Sequence, residues 1–198
     1  MRKLVMSNDR TWDIGYFSSA DRGLDRLLDM IPKIEEKLGR KITSTWAYGW
    51  NTFDQFHAKN PQQMRWKWQV IRKMAEVGMV EQGRLSHEDL AKLMEDTNVW
   101  AYPTSFPEIH CITALKAQAA KCKPVTSGYA ALQETVYIDE EMIEDIEGKP
   151  EKLDEFVDRV VAALKEPRDE EALEKTKQLV IKENDWQAVA RTWSEALA

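Results

Sequence analysis

The chain has 198 residues, of which 43% are hydrophobic and 31% charged, with a formal net charge of -6. That length suffices for a substantial core in one domain or two small ones. No apolar run approaches the ~20 residues that span a bilayer, and an acidic chain without clustered Lys and Arg argues against a nucleic-acid binder.

The Trp12–Phe17 segment reads as a short strand. From Arg22 the period becomes helical: Leu24, Leu27, Leu28, Ile31, Ile34 and Leu38 form one apolar stripe, and Gly39 suits the end of the helix. Lys41 to Tyr48 alternates and is rich in β-branched and aromatic residues, as a strand is, and Gly49 ends it. Pro61 can open the next helix, which carries Met64, Trp68, Ile71 and Met74 and closes at Gly78. Met79 to Gln82 reads as a short strand. Ser86 to Asp89 has the spacing of a capping box, and Leu90, Leu93 and Met94 continue that helix. Val99 to Tyr102 is a strand, Glu108 opens an amphipathic helix after a Pro-bounded loop, and Pro124 to Thr126 is a further strand. After about Asp139 the pattern is nearly all helical and highly charged. Its stripes are Leu153, Phe156, Val157, Val160 and Leu164, then Leu173, Leu179 and Val180, then Trp186, Val189, Trp193 and Leu197. The acidic stretch from Asp139 to Glu147 reads as solvated surface.

This β-α alternation with short connections predicts an α/β fold: a Rossmann-like parallel sheet with helices on both faces and extra helices at the C-terminal end. In such a sheet the site lies in loops at the strand C-termini, and four loops hold candidates. Ser18-Ser19-Ala20-Asp21-Arg22-Gly23 offers hydroxyls, amides and a guanidinium to a phosphate, or an ordinary helix cap with a surface arginine. Tyr48-Gly49-Trp50-Asn51 offers close backbone approach and aromatic walls, or a turn with core aromatics. Gly83-Arg84-Leu85 is a strand end whose amides could read a base edge. Pro107-Glu108-Ile109-His110-Cys111 places a carboxylate at a helix start, either as a cap or as an acceptor for sugar hydroxyls. If the helix starts at Glu108, Lys116 stands about 80° around it and ~12 Å along it, at the edge of the same cleft. There is no GxGxxG and no GxxxxGK[ST]. Cys111 and Cys122 form no CxxC, and His57, His87 and His110 have no ligand spacing. The reading is therefore two reduced thiols, no metal and a cytoplasmic protein, at most peripheral to a membrane. Met1, Arg2 and Lys3 precede no apolar leader segment, because Ser7 to Arg10 are polar.

Taken in order, these segments resemble the C-terminal, donor-binding half of family-4 retaining GT-B glycosyltransferases over about Trp12 to Trp193. EIHCITALKAQAAKCKPV is similar to the family run EGFGLPxLEAMAxGxPV, SSADRGLDRLL to its Lys-Gly-Leu helix start, and GRLSHEDLAKLMEDTNVWAYPTSFPE to its strand-helix-strand approach. The resemblance implies that residues 1–198 are one nucleotide-sugar-binding domain, with an α/β core over about 12–140 and a helical part over about 150–198. It implies transfer of a sugar from a nucleoside-diphosphate donor to an acceptor hydroxyl, with no cofactor. Arg22 would contact the donor diphosphate beside Ser18, Ser19 and Gly23, and Glu108 would meet the transferred sugar. Gly83, Arg84 and Leu85 would lie near the base, with Gly49 and Trp50 at the cleft. The amides of Ile109, His110, Cys111 and Ile112 would face sugar and phosphate. The sequence departs from the pattern in three places. Lys116 stands where the second glutamate holds the ribose, Lys121 where glycine is usual, and Ser18 and Ser19 occupy the region where the family has a second basic residue of the phosphate site. A complete enzyme of this kind also needs an N-terminal acceptor domain or a partner subunit. Two alternatives belong to other classes. One is a non-catalytic, degenerate nucleotide-sugar-binding or assembly module; the other is an unrelated flavodoxin-like or nucleotide-sensing domain.

Overall fold

A computed structural model of the chain describes residues 10–138, 142–143 and 146–197. Six strands form one fully parallel sheet: β1 (Trp12–Tyr16), β2 (Ser44–Ala47), β3 (Val80–Gly83), β4 (Thr97–Tyr102), β5 (Lys123–Ser127) and β6 (Met142–Ile143). Their spatial order is β3-β2-β1-β4-β5-β6. The chain first winds outward from β1 to β3, then crosses back to β4 and winds the other way. The order therefore reverses between β1 and β4, and the crevice above their C-terminal ends is where such sheets bind ligands.

Nine helices are described: α1 (Leu24–Leu38), α2 (Asn51–His57), α3 (Pro61–Val77), α4 (His87–Glu95), α5 (Ile112–Ala119), α6 (Leu132–Thr135), α7 (Pro150–Lys165), α8 (Glu170–Asn184) and α9 (Trp186–Ala196). A single 3-10 turn, Ala20–Arg22, leads into α1. α1, α3 and α7 pack side by side as one layer, and α4, α5 and α8 as the other. The stripe predicted for α1 is its core face, for Leu24, Leu27, Leu28, Ile31 and Ile34 are all buried. Every residue of β4 is buried, as expected for a strand covered on both faces. Surface ion pairs tie α1 to its neighbours. Lys73 of α3 reaches Asp25 at 2.6 Å and Asp29 at 2.7 Å, while Lys33 reaches Asp154 of α7 at 2.8 Å.

Several expectations need correction. The predicted helix start at Glu108 is wrong. α5 begins four residues later, with Cys111 as its cap, because the run from Pro103 to His110 stays irregular. The sequence pattern does not predict α2, whose seven residues bury only Phe53 and so carry too short a stripe to read. The segment after residue 139 is not entirely helical, since Met142–Ile143 adds a sixth strand beside β5. Of the rest of the expected acidic surface there, residues 139–141 and 144–145 lie outside the described residues, Ile146 is buried and Glu147 is exposed.

Candidate functional site

At the C-terminal ends of β1 and β4, two loops meet above the reversal point. Gly23 makes the approach possible. Its φ is +129°, and a Cβ there would stand 2.5 Å from the carbonyl oxygen of Pro103. Only glycine lets the start of α1 lie against the loop after β4. This contact brings together Arg22 and Glu108, which are 86 residues apart in sequence and bond at 2.9 Å. The Glu108 side chain is only 9% exposed and the Arg22 side chain 33%. Burial alone would lower the Arg22 pKa, but the adjacent Glu108 carboxylate outweighs it and raises it above the ordinary arginine value. The guanidinium also lies 4.0 Å over the ring of Phe106. A hollow of about 340 Å3 opens beside the pair, lined by Trp66, Phe106, Arg22, Arg26 and Asp25 among others.

From below, Tyr102 donates to Oε1 of Glu108 at 2.6 Å. In sequence Tyr102 reads only as the end of a strand, because a strand pattern does not say which terminal side chain points under a loop. Burial and then the neighbouring carboxylate hold its phenol pKa well above the usual value, so it remains a donor.

The loop after Glu108 is open backbone. The amides of Ile109, His110 and Cys111 donate to no described residue, whereas the amide of Ile112 is taken by the His110 carbonyl at 3.0 Å. Consecutive unpaired amides before a helix start suit an anion. Ile109 is 95% exposed and His110 is exposed. Cys111 is buried, and burial pushes its thiol up to about 11, so it is no nucleophile at neutral pH.

Ser18 is buried, with its hydroxyl 3.4 Å from that of Tyr102, and it faces the interior. The Ser19 hydroxyl is bonded to the Asp21 carboxylate. Gly49, Gly83 and Arg84 form a second cluster, in which a Cβ on Gly49 would be 3.1 Å from the Arg84 amide nitrogen. Arg84 is exposed, 5.8 Å over the Tyr48 ring, and Leu85 packs against the core. Trp50 does not wall a pocket: it is buried against Trp46 at 5.1 Å and Phe53 at 5.4 Å, an aromatic core that seals its side chain away. Lys116 lies in α5, partly buried; its carbonyl accepts from the Ala120 amide at 3.0 Å, and its ammonium makes no hydrogen bond or ion pair with a described residue. Among the described residues no group of three or more His, Cys, Asp or Glu gathers as a metal site, and no helix is long and apolar enough to cross a membrane.

No protein-family model matches the chain, and no curated protein matches its sequence. Solved structures do match its fold. A glycosyltransferase from Rickettsia africae superposes with a TM-score of 0.71 at 16% identity, covering 94% of this chain and 47% of that one. HepE from Anabaena, solved with UDP, gives a TM-score of 0.65 at 14% identity, covering 95% and 49%. The C-terminal domain of the group 1 glycosyl transferase LpcC from Francisella tularensis gives 0.59 at 14% identity, covering 87% and 85%. The fold is that of one Rossmann-like domain of GT-B glycosyltransferases, and the chain spans about half the length of the first two proteins.

Proposed function

We propose that this chain is the donor-binding half of a glycosyltransferase of the family-4 retaining type. It would bind a nucleoside-diphosphate sugar for transfer to an acceptor hydroxyl. The observation that carries the reading is the Arg22–Glu108 pair at the sheet's reversal point, with three free amides beside it. Arg22 and those amides are donors suited to the charge that grows on a departing diphosphate. Glu108 is acceptor-only when ionised, which suits sugar hydroxyls. Gly83, Arg84 and Leu85 would meet the base. Cationic groups and amides would neutralise the leaving group, so this reading requires no metal or cofactor.

An acceptor site would come from a second domain or subunit. The neighbours' chains are about twice as long, and α9 with its C-cap residue presents Trp186, Trp193 and Leu197, at 88%, 64% and 78% exposed, as an apolar face for such a half. One observation favours the non-catalytic alternative. Lys116 stands where the resemblance calls for a ribose-holding glutamate, and a lysine can only donate.

Calorimetric titration with UDP-, GDP- and ADP-sugars and with the free nucleotides tests the reading. The wild type should bind one base class, and Arg22→Ala should weaken it roughly tenfold or more. A gain of affinity in Lys116→Glu would identify a degenerate but intact site. Binding of no nucleotide by the wild type contradicts donor binding.

A further inference from the structure

We propose that Tyr102, the last residue of β4, is a positioning residue that holds Glu108 so that one carboxylate oxygen is kept for a ligand hydroxyl. The proposal rests on the donor-binding reading and assigns a role that the sequence pattern did not suggest. Tyr102 is completely buried, and its hydroxyl donates to Glu108 Oε1 at 2.6 Å. Arg22 Nη1 donates to the same oxygen at 2.9 Å. Oε2 accepts nothing from any described residue.

That asymmetry is unusual for this pair of groups. A guanidinium beside a carboxylate favours two parallel bonds, one to each oxygen. Here the phenol shares Oε1 with Arg22 from below, which fixes the rotation of the carboxylate, and Oε2 has no hydrogen bond from Arg22. Without the hydroxyl, the carboxylate is free to rotate onto the guanidinium with both oxygens, and no acceptor faces the ligand.

The phenol is itself oriented. It has one proton, and Glu108 takes it, so its oxygen must accept from elsewhere. Ser18 Oγ stands 3.4 Å away as the donor. The Ser18 carbonyl in turn accepts from Trp46 Nε1 at 2.9 Å. The chain of bonds runs from β2 and the loop after β1, through β4, to the carboxylate, and it gives the buried Ser18 a purpose other than ligand contact.

Tyr102→Phe removes only the hydroxyl. The wild type, this variant, Glu108→Gln and the double variant are titrated with UDP-, GDP- and ADP-glucose and with UDP, GDP and ADP. For the base class bound, Tyr102→Phe should weaken the sugar nucleotide roughly tenfold and leave the free diphosphate essentially unchanged. On the Glu108→Gln background the Tyr102→Phe effect should vanish, because the two groups act as a unit. If Tyr102→Phe does not fold, Ser18→Ala probes the same chain of bonds and should show the same selective loss at smaller size. Equal losses for both ligands, no loss, or full additivity with Glu108→Gln overturns the positioning role while leaving donor binding intact. A wild type that binds none of these ligands overturns both.

Discussion

Ala130 holds a left-handed conformation, with φ at +52°, in the turn between β5 and α6. It is exposed, and its neighbour Ala131 donates its amide to the Glu108 carbonyl at 3.1 Å. A methyl group in that region costs about 1–2 kcal/mol, and glycine removes the cost while adding some freedom to the unfolded chain. Ala130→Gly should therefore stabilise the protein by about 0.5–1 kcal/mol, read as a rise in thermal midpoint. An unchanged or lower midpoint would contradict the strain. Lys121, at φ +56°, is a related case. Its amide bonds to Gln118 and that of Cys122 to Ala117, the paired bonds of a Schellman ending after α5. The resemblance marked this position as one where glycine is usual, and the backbone angle is the physical reason. Gly23 illustrates what remained hidden. Its position at a helix start was visible in sequence, but the 2.5 Å approach of a hypothetical Cβ to Pro103 depends on a loop 80 residues away.

Among the elements, β1 and β2 are joined at their N-terminal ends by Asp13. Its carboxylate accepts from Arg40 at 2.8 and 2.9 Å and from the Thr43 amide at 2.9 Å. Burial raises the pKa of Asp13, but the bonds from Arg40 and Thr43 outweigh it and leave the group below its ordinary value. A carboxyl depressed in the folded state stabilises it above the unfolded pKa, near 3.9. That contribution is lost as pH falls through the folded value. In Arg40→Met the largest depressing contribution goes while burial and the Thr43 bonds remain, so the acid-unfolding midpoint should move to higher pH. At neutral pH this variant should lose about 1–3 kcal/mol. An unmoved acid midpoint would contradict the pairing. The stripes of α1, α3 and α7 were legible because each helix buries one face over many residues, and β1, β2 and β4 were legible as short apolar, aromatic or β-branched runs, buried on both faces. α2 and β6 were not, because seven and two residues carry too little periodicity. The start of α5 was misplaced because a carboxylate after proline looks like a cap. Here Glu108 is instead held in the loop by Arg22 and Tyr102.

For the whole molecule, strand order does what local pattern cannot. The order β3-β2-β1-β4-β5-β6 carries the loops after β1 and β4 to one place, and so joins Arg22 to Glu108. Both residues were candidates from sequence, but their pairing was not readable there, since nothing local links positions 22 and 108. Tyr102 entered only through the geometry, and Trp50 left the cleft because its indole is part of the core. The proposed ligand position is the reversal point. Amide chemical-shift mapping of the chain on addition of its tightest-binding nucleoside diphosphate is the most direct test. The account predicts the largest shifts at Arg22, at Glu108 to Cys111 and at Gly83 to Leu85. No shifts with any nucleotide, or shifts confined to the opposite, N-terminal end of the strands around Asn98 and Arg168, would contradict it.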